Sequence, residues 1–166
     1  FLPSLPFPYS EIMAFGIWNL GGTVVLTDDK SLPKRKDFEC LNLVSPEIDI
    51  QGELSKSNPD FTPKFRANLL DEAMIFLEKD NGIQLSHYSL LVNANGVQIS
   101  LDLQRGSSVK VNISPNTTAW VVLQVILPFY TGTEITHKKA DTTFSLPGQF
   151  ENPDYLIQPE WSSIEK

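Results

Sequence analysis

The residues able to do chemistry are few and scattered. The two histidines, His87 and His137, stand fifty positions apart. Neither has the i, i+4 partner or the Cys/His spacing that a metal site needs. His87 adjoins Tyr88 in a strand candidate and reads as structural; His137 adjoins Lys138 and Lys139 and reads as solvated. The single cysteine, Cys40, excludes an intrachain disulfide, and its place beside Phe38 in an alternating run suggests a buried thiol. No G-x-S-x-G nucleophile turn and no glycine-rich phosphate loop occurs; Gly21-Gly22 alone signals a turn. Glu47 and Asp49 alternate along a strand candidate, and Asp28-Asp29 sit in a turn without a calcium-loop pattern. An enzyme would need a cleft joining distant groups, such as His87 with Glu53 or Asp102. The expectation is no enzyme, no cofactor and no metal.

Charge and hydropathy narrow the partners. A net charge of −7 disfavours direct nucleic-acid binding. The basic run Lys34-Arg35-Lys36 is flanked by Asp28, Asp29, Asp37 and Glu39 and reads as a solvated loop. The apolar run from Trp120 to Leu127 is broken by Gln124 and too short for a membrane span, so no membrane partner is expected. The first residues have neither the basic region nor the cleavage pattern of a signal peptide. Asn112 and Asn116 match the glycosylation acceptor pattern, which chance alone produces about once in a chain with ten asparagines. A glycan is a further ligand class, with Trp120 or Tyr130 as its platform; the alternation around Trp18 and Trp120 favours burial instead.

The elements expected to position these residues are mainly β-strands. A chain of 166 residues supports one core. Residues 13–20 alternate, Thr23–Thr27 is rich in β-branched residues, and Phe38–Val44 and Ile48–Leu54 flank Ser45-Pro46. His87–Asn93 and Val97–Leu103 flank Asn95-Gly96, a strong hairpin signal. Val109, Val111 and Ile113 alternate with polar residues, and Ala119–Leu127 reads as a buried strand. Thr62-Pro63 opens the one helix pattern, over about 62–80, with Gly82 as its stop. The competing assignment makes Ala73–Lys79 a strand that turns at Asp80-Asn81-Gly82. The expected fold is mainly β: an antiparallel β-sandwich or jelly roll with one α-helix and extended arms at both ends.

The arms carry the interface candidates. Residues 1–137 form the expected single domain, with an apolar, proline-rich arm over 1–12 bearing Phe1, Phe7 and Tyr9. Residues 138–166 form a second extended arm, where Phe144, Phe150, Tyr155 and Trp161 recur between prolines. Large aromatics at such intervals suit anchors on a neighbour. The sequence therefore suggests a non-enzymatic structural or assembly protein, a virion subunit by preference: capsid, cement, collar or tail-associated. Its partners would be copies of itself or other assembly subunits, joined by arm docking. The alternative is a β-sandwich binding module for a glycan or peptide.

Overall fold

The computed structural model describes residues 2, 4–27, 47–78, 81–115, 117–148 and 153–157. The chain divides into two compact units, Phe1–Tyr88 and Ser89–Lys166. Each mixes helix and sheet, so the expected antiparallel sandwich with a single helix is corrected.

The first unit is built on a three-stranded sheet. Its strands are β1 (Val24–Thr27), β2 (Glu72–Glu78) and β3 (Asn81–Ser86), in that order. β1 runs parallel to β2, and β3 runs antiparallel to it. Val24, Leu26, Met74 and Phe76 are buried and pair across β1 and β2. That pairing overrides the helix pattern expected over 62–80: a strand at Met74 and Phe76 buries both, whatever the local preference for helix. The competing strand assignment is the one the chain adopts over Ala73–Glu78, while Asn81 and Gly82, expected in the turn, already belong to β3.

Helix α1 (Tyr9–Asn19) replaces the strand expected over residues 13–20, and the arm over 1–12 is helical from Tyr9 onward. The prolines lie ahead of the helix, where a missing N–H costs nothing. The Leu5 N–H donates to Ser10 Oγ at 2.9 Å, and that hydroxyl donates back to the Leu5 carbonyl at 3.2 Å. Leu2 and Leu5 are buried, and the Leu2 N–H donates to the Val25 carbonyl. Gly21, with φ of 77°, ends the helix. Its N–H reaches the Trp18 carbonyl and that of Gly22 reaches Ile17, so the two glycines form a helix stop rather than a hairpin turn. Helix α2 (Ile50–Lys56) likewise replaces the expected strand Ile48–Leu54; Asp49 caps it by accepting from the Gly52 N–H at 3.0 Å.

Helix α3 (His87–Leu101) starts at the end of the first unit and continues into the second. The hairpin expected at Asn95-Gly96 is absent, because a second period runs through the same residues. Leu90 and Ala94 are buried, and Val97, Gln98 and Leu101 follow on the same stripe. The helix buries Leu90 and Ala94, half-buries Val97, Gln98 and Leu101, and leaves Val92 and Ile99 exposed. Gly96 lies mid-helix, with open space where a Cβ would stand.

The second unit holds a sheet ordered β5-β4-β6-β7, with every neighbouring pair parallel. Its strands are β4 (Ser108–Asn112), β5 (Glu134–Ile135), β6 (Thr142–Ser145) and β7 (Tyr155–Leu156). β4 follows the expected alternation, with Val109 and Val111 buried. The stretch expected as a buried strand, Ala119–Leu127, is helical. It comprises α4 (Thr118–Trp120), a π-helical segment (Val121–Ile126) and α5 (Leu127–Thr131). Thr117 caps it, its Oγ1 accepting from the Trp120 N–H. Nearly every residue of this run is buried, and a helix buried on all sides has the same composition as a buried strand. Pro128 supplies no N–H to the helix, and the wider π turns lie just ahead of it. Gly132, with φ of 75°, closes the helix; a Cβ there would stand 2.9 Å from the Arg105 side chain.

Candidate interaction surface

Two places in the first unit combine defined geometry with accessible groups. The first is an aromatic cluster on the inner side of α1. Trp18 donates its Nε1–H to the Ala73 carbonyl at 2.8 Å. The rings of Phe15 and His87 meet it edge-on, with centroids at 5.3 and 5.7 Å. The His87 N–H donates to the Asp71 carbonyl, and the Tyr88 N–H to that of Leu69. Burial holds the His87 imidazole below its ordinary pKa, against a smaller opposing pull from the Asp71 carboxylate. A neutral imidazole packed on an indole suits structure, and its charged neighbour is Asp71 rather than the Glu53 or Asp102 considered from sequence. Among the described residues no group of three or more His, Cys, Asp or Glu could hold a metal.

The second place is the loop between α2 and β2. From Ser57 to Asn68 it forms no regular element, and its residues are exposed. Its ends are fixed. The Ser57 N–H and Oγ donate to the Leu54 and Glu53 carbonyls. At the other end the Asp71 carboxylate accepts from the Asn68 N–H at 2.7 Å and from its Nδ2 at 3.2 Å. Pro59 and Pro63 set extended backbone between these roots. The loop displays Phe61, Phe65, Leu69 and Leu70, each 55–81% exposed. From Phe61 to Leu70 it carries Lys64 and Arg66 and no acid, on a chain of net charge −7.

Phe65, Leu69 and Leu70 recur at the three- and four-residue spacing of the helix expected over 62–80, and that pattern conceals the loop. The two prolines four positions apart were the signal available. The residues singled out as anchors are distributed differently. Phe7 is exposed and Tyr9 half-buried at the start of α1. Phe144 is buried in β6, its ring stacked on the exposed Tyr155 of β7 at 5.7 Å. Phe1, Phe150 and Trp161 lie outside the described residues, as do Cys40, Asn116 and the run Lys34–Lys36.

In the second unit Trp120 is fully buried, so it offers no sugar platform. Asp141 Oδ2 accepts from both the N–H and the Oγ of Ser108 at 2.8 Å. Those bonds, the backbone one first, hold the Asp141 carboxyl below its ordinary pKa. They fix the start of β4 to the approach to β6. No helix among the described residues is long and apolar enough to cross a membrane.

No protein-family model and no curated protein matches this chain.

Proposed function

We propose that this chain is a non-enzymatic assembly protein that binds other protein subunits through the loop between α2 and β2. The observation that supports this is the display of Phe61, Phe65, Leu69 and Leu70 on a loop held at both ends. Exposed apolar groups gathered in one segment are costly to leave in water and mark contact surfaces. Burying a Leu or Phe side chain is worth about 1.5–3 kcal/mol. Four of them, already about a third buried, offer on the order of 4–8 kcal/mol, against roughly 4–15 kcal/mol of lost freedom on association. The loop alone is therefore borderline, and assembly calls for a further contact. A virion subunit is the preferred setting for such assembly; of the two arms that suggested it, the first is helical from Tyr9 onward and the second holds β6 and β7.

The test is solution mass by light scattering at several concentrations, for the natural chain and for the Phe61→Ser, Phe65→Ser, Leu70→Ser triple variant. The natural chain is expected to associate and the variant to dissociate at lower dilution. Equal masses for both chains at every concentration would remove the loop from the assembly reading.

The binding-module reading retains one specific feature, the exposed neighbours Phe129 and Tyr130 on α5, with the Tyr130 hydroxyl held by Asn95 at 2.9 Å. A glycan panel that shifts no NMR signal of Tyr130 would dispose of it.

A further inference from the structure

The three-stranded sheet ends in β3, and among the described residues no strand pairs with its outer side. An open edge presents backbone donors and acceptors that another strand can satisfy. Natural edges are commonly guarded by lysine, proline, a bulge or short length. β3 has six residues, Asn81-Gly82-Ile83-Gln84-Leu85-Ser86, with no charge and no proline. The one register irregularity in its pairing with β2 lies at the far end, between Glu72 and Met74. Gly82, Ile83 and Gln84 are exposed, and Ile83 stands opposite the buried Phe76. The other edges are poorer docking sites. β1 is partly covered by the Leu2 N–H on the Val25 carbonyl, and β5 and β7 have two residues each.

We infer that β3 is the strand through which two copies of this chain pair, antiparallel about a two-fold axis, joining their two sheets into one. This rests on the assembly reading and names its partner. A two-fold contact sets each residue near its own copy or a close neighbour, so a charged strand repels itself there. β3 is uncharged on a chain of net charge −7, so two copies can approach there without adding like charges at the contact. The loop adds complementary charge, since Lys64 and Arg66 meet an acidic copy. The Leu69 carbonyl receives the Tyr88 N–H just past the end of β3, which roots the loop there. Antiparallel pairing brings that root, with exposed Leu69, Leu70 and Tyr88, beside the hairpin end of the other copy. The strand contact and the loop contact are then continuous, which supplies the second contact that the loop requires.

Sedimentation equilibrium of the full chain tests this with Gln84→Lys, Gln84→Glu, their equimolar mixture, and the loop triple variant. Circular dichroism checks that each variant keeps its fold. The natural chain is expected to dimerise. Each charge variant is expected to dimerise up to about fivefold more weakly, as like charges meet near the axis, and the mixture to recover most of the loss. A natural chain that stays monomeric overturns the pairing. So does a dimer indifferent to both Gln84 substitutions; if that dimer still weakens in the loop variant, the assembly reading stands and only the β3 contact fails.

Discussion

The indole N–H of Trp18 donates to the carbonyl of Ala73, fastening the last turns of α1 to the central strand of the first unit across 55 positions of sequence. Trp18→Phe keeps most of the ring packing and removes the donor. A buried carbonyl left without its partner costs about 1–3 kcal/mol. The expected outcome is a lower urea midpoint for the first unit, followed by backbone amide exchange at β2. An unchanged midpoint would show that water replaces the bond at no cost.

His87 packs against the same indole, and its burial makes the folded chain bind a proton there less readily than the unfolded chain does. The sign follows directly. The stabilising difference is complete above the ordinary histidine value of 6.5, and is lost as pH falls below it through the folded value. His87→Gln removes this dependence. Melting temperatures of the two chains are expected to converge as pH drops from about 8 to 5, the range in which histidine titrates. Parallel curves would contradict the assignment.

Phe144 lies in β6, which pairs with β4 on one side and β7 on the other. Loss of a buried Phe side chain costs about 3–5 kcal/mol. Phe144→Ala is therefore expected to unfold the second unit at markedly lower urea, read by the near-ultraviolet signal of the buried Trp120. Removing residues 140–166 takes away β6 and β7 and is expected to do the same, whereas the sequence alone suggests a core that survives the deletion. A truncated chain with its Trp120 signal intact would count against the sheet order.

What could be read in advance was whatever only one period fits. Val24, Val25 and Thr27 are β-branched, and Val109, Lys110 and Val111 alternate with no helical stripe in competition. Where two periods share residues, the wrong one is as easily chosen. Leu90, Ala94, Val97 and Leu101 form a helical stripe inside a sequence that also alternates, and Asn95-Gly96 tips a local reading toward a hairpin. Residues 119–127 are apolar except at Gln124, so no period is visible. Met74 and Phe76 sit in a strand because Val24 and Leu26, some fifty positions earlier, lie beside them. The exposed loop between α2 and β2 was hidden for the same reason. Its apolar residues match a helix until the neighbouring strand claims the chain from Glu72 onward.

The parallel sheet of the second unit sets an order of events during synthesis. Adjacent parallel strands cannot be joined by a tight turn, so each pairing waits for a connecting segment to emerge. β4 acquires β5 only after the long buried helix, and β6 acquires β7 later still. The sheet of the first unit is complete once Ser86 has been made. A nascent chain therefore exposes an open β3 edge and the apolar loop while its second unit is still unfinished.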